Sequence, residues 1–516
     1  MSDIPASNSG IQKATTGKRP SASAERRRHP RPKLADFRFQ DAAGLISPVV
    51  VTGVVRLFEF VLVSFLGLAI FHAYLGGPSA FDGYMGYALY GFAILTAAGA
   101  SSLSFQAFRL YDLSILSSIL RQLPRIILAW TLVFAFLTAI AFFLKLGIEY
   151  SRIWVASWYL IGIAVLIGFR TLLASTVRQW ASEGRLNRRA VIVGGGTAAE
   201  ELISALEASG DTDIRIYGIF DDRNDARINK RISGYPKLGN IDELIEFGRK
   251  MRLDLLIVSL PITAENRLLQ LLKKLWVLPV DICLSAHTSK LRFRPRAYSY
   301  IGNVPFVDVQ DKPITDWDYV LKWIFDKVVA TLILIAALPV MILVALAIKL
   351  DSAGPVFFKQ KRYGFNNELI EVFKFRSMQA DKSDQDAARL VTKNDSRVTA
   401  VGRFIRKTSL DELPQLFNVL KGELSLVGPR PHAMQAKAAN ALYDEVVDSY
   451  FARHRVKPGI TGWAQISGWR GETDTEDKIQ RRVEHDLFYI ENWSIWFDLY
   501  ILIRTPFSLL NTQNAY

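Results

Sequence analysis

The chain has 516 residues, half of them hydrophobic, with a formal charge of +14 and a positive mean hydropathy. That length leaves room for several domains, and the composition excludes an ordinary soluble protein. A single cysteine, Cys283, and six scattered histidines exclude a disulfide framework, a thiolate metal cluster and an H-E-x-x-H zinc hydrolase; the basic excess suits nucleic acid, lipid headgroups or phosphorylated small molecules.

Residues 1–45 are rich in Ser, Pro and Arg and lack apolar periodicity, which predicts a disordered cytoplasmic tail and no cleaved signal peptide. Four apolar stretches follow at about 50–75, 83–105, 123–146 and 153–174, each near the roughly 20 residues needed to cross a bilayer. A membrane α-helical bundle of four transmembrane helices is expected over 46–176. Arginines in the tail, and again at Arg178, Arg185, Arg188 and Arg189, place both ends of the bundle in the cytoplasm by the positive-inside rule.

Beyond residue 187 the character changes. "RRAVIVGGGTAAEELISALEA" reads as a strand, a glycine turn and a helix, while "IRIYGIFDD" and "LDLLIVSLP" read as strands around the helical "NIDELIEFGRKM". This predicts a cytosolic Rossmann-like α/β domain with a parallel sheet over 187–290, followed by a linker over 291–316. Gly194, Gly196 and Ala199 fit G-x-G-x-x-A, and Asp221 and Asp222 lie where a dinucleotide fold holds a ribose. Tight strand-to-helix turning needs the same glycines without any ligand.

The run "KVVATLILIAALPVMILVALAIKL" at 327–350 is long enough to span, and crossing would export everything after it. Pro339 removes a helix hydrogen bond in its middle, and Lys322, Lys327, Lys349 and "KQKR" at 359–362 put positive charge on both flanks. A broken, re-entrant helix over 320–350 that enters and leaves on the cytoplasmic face is expected, against a plain span with a tolerated proline.

From 351 to 470, Lys and Arg recur beside glycine, proline and aromatic residues. A nucleic-acid groove uses such mixtures, but the position directly after a membrane-inserted segment argues for no nucleic acid. Arginine suits bidentate recognition of phosphate. Trp463 and Gln465 in "KPGITGWAQISG" are candidates for stacking on and hydrogen-bonding a base. The adjacent acids Asp411 and Glu412 have two readings. As a helix start, a Ser409 cap would put Pro414 at the fifth helical position, where its missing N–H is needed, whereas Asp411 as the cap avoids this. As chemistry, Asp411 attacks phosphorus and Glu412 holds a divalent cation or handles a proton, with Arg406, Lys407 and Arg430 keeping both acids ionised.

The segments "KRYG", "FKFRSM", "TSLDELPQLFNVLKGELSLVGPRP" and "RHRVKPGITGWAQISG" occur in an order that resembles the monotopic phosphoglycosyl transferases, the bacterial polyprenyl-phosphate sugar-1-phosphate transferases. The resemblance covers roughly 315–516, so 317–516 is expected to be a C-terminal, α-rich, membrane-associated catalytic domain. The preceding spans and α/β domain resemble, by arrangement, the large-topology members that start exopolysaccharide synthesis, such as undecaprenyl-phosphate glucose phosphotransferases. The resemblance implies that Asp411 attacks the sugar-bearing phosphorus of a UDP-sugar, expelling UMP, and that undecaprenyl phosphate then takes the phosphosugar. It implies Glu412 as the partner of Asp411 with Mg2+, and Arg406 and Arg430 as phosphate contacts. It also implies Lys361, Arg362, Lys374 and Arg376 in the basic motifs, with Arg455, Lys457 and Gln465 near the nucleotide. Members often carry Ser-Pro at the break; here Leu338 precedes Pro339.

UDP-glucose is the expected donor, with UDP-galactose as the alternative, an inner-membrane protein with its active site on the cytoplasmic face as the setting, and a homodimer left open. Two other classes compete. A Rossmann-type nucleotide-sugar-modifying enzyme would need Tyr-x-x-x-Lys, which the tyrosines from 217 to 319 do not supply. A non-enzymatic scaffold for polysaccharide assembly would give residues 315–516 no transferase activity. "RRVEHDLFYIENWSIWFDLYILIRTPF" at 481–507 reads as an interfacial amphipathic helix or a core helix.

Overall fold

The computed structural model describes residues 47–75, 84–145, 149–209, 213–223, 231–251, 253–260, 264–286, 299–302, 304–379, 397–432, 437–438, 441–442, 450–469 and 475–510. The tail expected over 1–45 lies outside them. Four long helices come first: α1 (Pro48–Leu75), α2 (Tyr84–Ala107), α4 (Ile119–Phe143) and α5 (Arg152–Ser182), with the one-turn α3 (Leu113–Leu116) before α4. Each long helix is long and apolar enough to cross a membrane. Tyr90, Trp130, Phe134, Trp154 and Trp158 fill their shared core. One buried ion pair ties α1 to α5: Arg170 donates to both Glu59 oxygens at 2.5 and 2.8 Å and to the Leu110 carbonyl at 2.7 Å. Pairing of this kind is what allows charge inside an apolar bundle.

The α/β part is built from β1 (Arg188–Val193), α6 (Thr197–Ser209), β2 (Ile214–Phe220), β3 (Arg231–Ile232), β4 (Tyr235–Gly239), α7 (Ile241–Met251), β5 (Leu255–Val258), α8 (Glu265–Leu275), β6 (Asp281–Ser285), β7 (Ser299–Ile301) and β8 (Val304–Gln310). The strand order is β3-β4-β2-β1-β5-β6-β8-β7. From β4 to β6 the pairs are parallel, as alternating strands and helices require. The edges differ from the expectation of a parallel sheet ending in a linker. Within that expected linker β8 returns antiparallel on β6 and β7 pairs antiparallel with β8, while at the other edge β3 is antiparallel on β4. Gly194 and Gly196 have φ of 99° and 88°, the conformation the turn after β1 demands. Asp222, one of the expected ribose acids, accepts instead from the Ile241 N–H at 2.9 Å, at the start of α7.

Helix α9 (Asp316–Asp351) runs as one element of 36 residues with Pro339 inside it, so the expected break in the helix is absent. Beyond it come the hairpin β9 (Phe357–Tyr363) and β10 (Leu369–Phe375), then α10 (Ala400–Lys407) and a 3-10 turn, Leu410–Glu412. After these follow α11 (Gln415–Lys421), β11 (Ser425–Val427), β12 (Lys437–Ala438), β13 (Ala441–Leu442), a 3-10 segment Tyr450–Arg455, β14 (Gly459–Thr461), α12 (Trp463–Ile466), α13 (Glu476–Glu491) and α14 (Ile495–Leu510). Both halves of α9 pack on this region: Ala330 with Leu416 and Val419, and Met341, Val344 and Ile348 with Ile405, Leu413 and Phe417. Lys322 is buried, donating to Asp498 at 2.6 Å, Asp326 at 3.2 Å and the Val427 carbonyl at 3.1 Å. It is an internal tether and not a flanking surface charge. The other face of α9 leaves Leu332, Ile335, Leu338, Leu343, Leu346 and Leu350 exposed, and α14 exposes Trp496, Ile503 and Phe507. Apolar surface of that extent is a membrane-contact face.

Candidate active site

Asp411 and Glu412 sit on the 3-10 turn between α10 and α11. Ser409, immediately before it, adopts φ 60°, a left-handed conformation that costs a non-glycine residue energy and that clusters at functional sites. Neither capping reading holds. Ser409 caps nothing with its side chain, Pro414 itself precedes Gln415 at the start of α11, and Asp411 makes no capping bond.

The two acids are in opposite states. Glu412 Oε1 accepts from Lys374 Nζ at 2.9 Å and from Arg430 Nη2 at 2.6 Å, and Oε2 from Arg430 Nη1 at 3.2 Å. Burial pushes the Glu412 carboxyl up, but Arg430 and Lys374 together pull it well below the usual carboxylate value. The Asp411 carboxyl is raised to about 6: burial pushes it up, Lys374 pulls it down, the neighbouring Glu412 charge adds to the rise, and Arg406 and Arg430 oppose it. Among the described residues Asp411 has no hydrogen-bond partner, and it stays partly exposed. One carboxylate is thus locked as a counter-ion while its neighbour is free, reachable and poised to ionise near neutrality.

The hairpin positions Lys374. Asn418, fully buried on α11, donates to the Glu371 carbonyl at 2.7 Å and to Glu423 at 2.6 Å, and accepts from the Phe373 N–H at 2.9 Å. This fixes β10 against α11, and hence Lys374 against Glu412. Arg430 lies in the loop Gly428–His432, which pairs with the segment around β14: Gly428 N–H donates to Thr461 O at 2.9 Å and Gly459 N–H to Pro429 O at 3.0 Å. A Cβ at Gly459 would lie 2.1 Å from Gly428 N, and one at Gly462 would lie 2.3 Å from Gly428 O. Those glycines let two loops of the chain approach each other.

Of the residues singled out in the sequence, the structure brings together Asp411, Glu412, Lys374, Arg406 and Arg430. Arg406 also donates to Ser377 Oγ at 2.8 Å. Arg362 is near enough to act on Lys374 and is held by Gln360 at 2.6 Å and the Pro431 carbonyl at 2.6 Å. Lys361 is exposed opposite Glu371. The others have different work. Arg376 donates to the Ala353 and Ser352 carbonyls at 2.5 and 2.7 Å, capping the C-terminal end of α9. Arg455 is buried and donates to the Asp311 carbonyl at 3.1 Å. Lys457 Nζ faces the Gly422 corner beside Lys327. Gln465 folds back on the Ile460 carbonyl at 3.4 Å, and the Trp463 ring lies among Phe488, Phe497 and Tyr500. Trp463 is thus partly buried against α13 and α14, and Gln465 is half-buried beside it. Residues not singled out in the sequence are Asn418, Arg453 and Asp486, all buried; Asn418 stands among apolar residues of its helix, whereas Arg453 and Asp486 lie in charged segments that give no local sign of their burial.

As for Mg2+, the described residues contain no group of three or more His, Cys, Asp or Glu able to hold a metal. Glu412, the expected ligand, already has both oxygens engaged by cations. The pair does not fit a protein cage for the ion, which prefers several oxygens in near-octahedral order.

A membrane-seated carboxylate pair ringed by Lys and Arg defines a class of protein that handles phosphate esters at a bilayer. Two family models match the chain: bacterial sugar transferase over residues 317–512 and CoA-binding domain over 106–286. It is 34% identical over 465 residues to the UDP-glucose:undecaprenyl-phosphate glucose-1-phosphate transferase of Xanthomonas campestris pv. campestris, covering 90% of this chain and 94% of that one. It is 40% identical over 368 residues to the undecaprenyl-phosphate glucose phosphotransferase of Komagataeibacter xylinus, covering 70% and 66%. Against the UDP-glucose:undecaprenyl-phosphate glucose-1-phosphate transferase of Escherichia coli (strain K12) it is 37% identical over 388 residues, covering 75% and 81%. The chain belongs to the bacterial sugar transferases, in the family of undecaprenyl-phosphate glucose phosphotransferases.

Proposed function

We propose that the chain transfers glucose 1-phosphate from UDP-glucose to undecaprenyl phosphate and releases UMP, as the first membrane step of exopolysaccharide or capsule synthesis. The observation that carries the mechanism is the split between a saturated Glu412 and a free Asp411. The Asp411 carboxylate attacks the sugar-bearing phosphorus. A P–O bond forms to Asp411, the P–O bond to UMP breaks, and UMP leaves with the electron pair. An oxygen of the lipid phosphate then attacks the same phosphorus and the acyl-phosphate bond breaks, restoring Asp411. Lys374, Arg406 and Arg430 offset charge on the phosphoryl oxygens, and Glu412 keeps Lys374 and Arg430 in place. Mg2+ enters this proposal only as a companion of the substrate diphosphate, whose oxygens would supply ligands that the described residues do not.

A re-entrant placement in the inner membrane, with the site on the cytoplasmic face, requires α9 to bend at Pro339 while its helical run continues, so that both ends stay on one side. At about 1.5 Å per residue its length exceeds a hydrocarbon core of about 30 Å. Yet Lys327 near one end donates to the Val419 and Leu420 carbonyls, and Asp351 at the other accepts from the Val401 N–H at 3.2 Å. The charged turn bearing Asp411 lies between those tethers, so a crossing helix would carry it into hydrocarbon. Dimerisation through this region is compatible with the exposed faces described.

The test is to incubate membranes containing the protein with polyprenyl phosphate and a panel of UDP-sugars and to identify the lipid product by mass. Polyprenyl-diphospho-glucose is expected. Product from UDP-galactose alone would reassign the sugar, and no product from any donor would leave the scaffold reading standing.

A further inference from the structure

The loop Gly428–His432 presents Arg430 to Glu412, and it is held carbonyl by carbonyl. Pro429 O accepts from Gly459 N–H at 3.0 Å, Pro431 O from Arg362 Nη1 at 2.6 Å and His432 O from Tyr363 N–H at 3.3 Å. The carbonyl of Arg430 itself accepts from Arg453 Nη2 at 2.9 Å. Arg453 lies in the 3-10 segment Tyr450–Arg455, 1% exposed, with its guanidinium 2.5 Å from Asp486 on α13 and 5.4 Å from the Tyr450 ring. Among the described residues its Nε and Nη1 meet no acceptor. Burying a guanidinium with two unused donor atoms is costly, and a methionine of similar bulk would fill the space at no such cost. What a methionine would not supply is the donor to Arg430 O.

We propose that Arg453, held by Asp486, is a positioning residue for the transfer reaction: it fixes the backbone of Arg430 so that the guanidinium of Arg430 grips Glu412 and leaves Asp411 free to attack. This rests on the transferase reading above. The groups facing Arg453 fit the role. Burial pushes His432 well down, with Arg453, Arg482, Arg362 and His454 adding to it, and burial with Arg453 and Arg249 holds His454 at about 3. Both histidines are therefore neutral, and Asp486 is the carboxylate that pairs with Arg453. Arg482, beside it, is engaged by the Trp469 carbonyl at 2.6 Å. Loss of Arg453 releases Arg430 from Glu412. That weakens the positive field from Arg430 at Asp411 and unmasks Glu412, and both changes raise the Asp411 carboxyl, whose other facing charges are Lys374 and Arg406.

The experiment uses the full chain in lipid nanodiscs, mixed once with UDP-glucose, following the covalent phosphosugar adduct by intact mass across pH. Arg453→Met is expected to slow adduct formation on the order of 100-fold, the cost of misplacing a reacting group by about 1 Å, with the KM for UDP-glucose nearly unchanged. The acid limb of its pH profile moves to higher pH. Arg453→Lys, which keeps a donor for Arg430 O, recovers at least about tenfold of that loss, since one good hydrogen bond to a charged donor is worth about that factor. Asp486→Asn, a smaller change, gives a milder version of the same shift. The double variant Arg453→Met with Glu412→Gln loses no more than Glu412→Gln alone. A folded Arg453→Met or Asp486→Asn chain with the wild-type rate and pH profile, or losses that multiply in the double variant, overturns the proposal. If the wild-type chain makes no lipid product from any UDP-sugar, the transferase reading fails; if it makes lipid product but no adduct, the covalent step fails and the positioning role with it; a wild-type adduct beside an unaffected Arg453→Met variant sinks the positioning role alone.

Discussion

Asp411 and Glu412 are neighbours of the same chemistry, and their surroundings alone divide the labour between them. The folded carboxyl of Asp411 titrates near about 6, above an unfolded aspartate, so the native chain binds that proton more tightly than the unfolded one. Ionising it therefore costs stability as pH rises from about 4 to about 6, and the cost is fully present above that window. Two outcomes follow. The rate of phosphosugar transfer rises as pH climbs through about 6, as nucleophilic attack needs the anion. Asp411→Asn abolishes transfer while its thermal midpoint at neutral pH stays equal to wild type or rises; a fall of several degrees with intact activity contradicts the assignment. Glu412 has the opposite sign. Its folded carboxyl lies below the unfolded value, so its stabilisation is present above that value and is lost as pH falls through the folded one. Glu412→Gln leaves Lys374 and Arg430 without their counter-ion and costs on the order of 3 kcal/mol, read by denaturant unfolding. It also removes a like charge from Asp411, moving the acid limb of any residual activity to lower pH.

At the scale of elements, the site depends on how the hairpin β9–β10, the turn 410–412 and the loop 428–432 are clamped together. Asn418 makes three hydrogen bonds from a fully buried position. Asn418→Ala strands the Phe373 N–H and the Glu371 carbonyl, and is expected to destabilise by roughly 2–3 kcal/mol. Lys374 then drifts from Glu412, so activity falls beyond what the folded fraction explains; unfolding curves and specific activity on the same preparation decide it. Here the sequence was only partly legible. Strand and helix periodicity located β1, β2, β5 and α7, and the acidic pair stood out against its basic surroundings. The segments that form β7 and β8 read as linker because nothing local shows that the chain doubles back: β8 becomes a strand by pairing with β6, and β7 by pairing with β8 at the sheet edge. Nor does the sequence show that Gly459 and Gly462 are where the chain meets Gly428, since a glycine permits close approach without revealing what approaches. For Arg376 and Arg455 the sequence does not reveal that each also donates to a carbonyl distant in the chain, because a cation in a basic motif carries no sign of such a partner.

For the whole molecule, the first apolar helix and the site-bearing region both pack on α9, whose apolar outer face and tethered ends define how the site sits at the bilayer. Hydropathy made the spans visible. It could not show that Pro339 lies within a continuous helix, since the neighbours that tolerate the proline come from elsewhere in the chain. The sole native cysteine, Cys283, is buried, which makes labelling straightforward. In inverted membrane vesicles, Asp318→Cys and Ala353→Cys, near the two ends of α9, are both expected to react with an impermeant maleimide. Reaction at one end from each side of the membrane would mean that α9 crosses.

The central claim, that Asp411 becomes covalently phosphorylated by the sugar phosphate, is tested most directly by mixing the purified full chain with UDP-glucose in the absence of lipid acceptor and sequencing the peptide that gains mass. The account predicts one hexose-phosphate group on Asp411, discharged when polyprenyl phosphate is added and absent from Asp411→Asn. A wild-type chain that makes lipid product with no adduct, or an adduct that persists in Asp411→Asn, contradicts it.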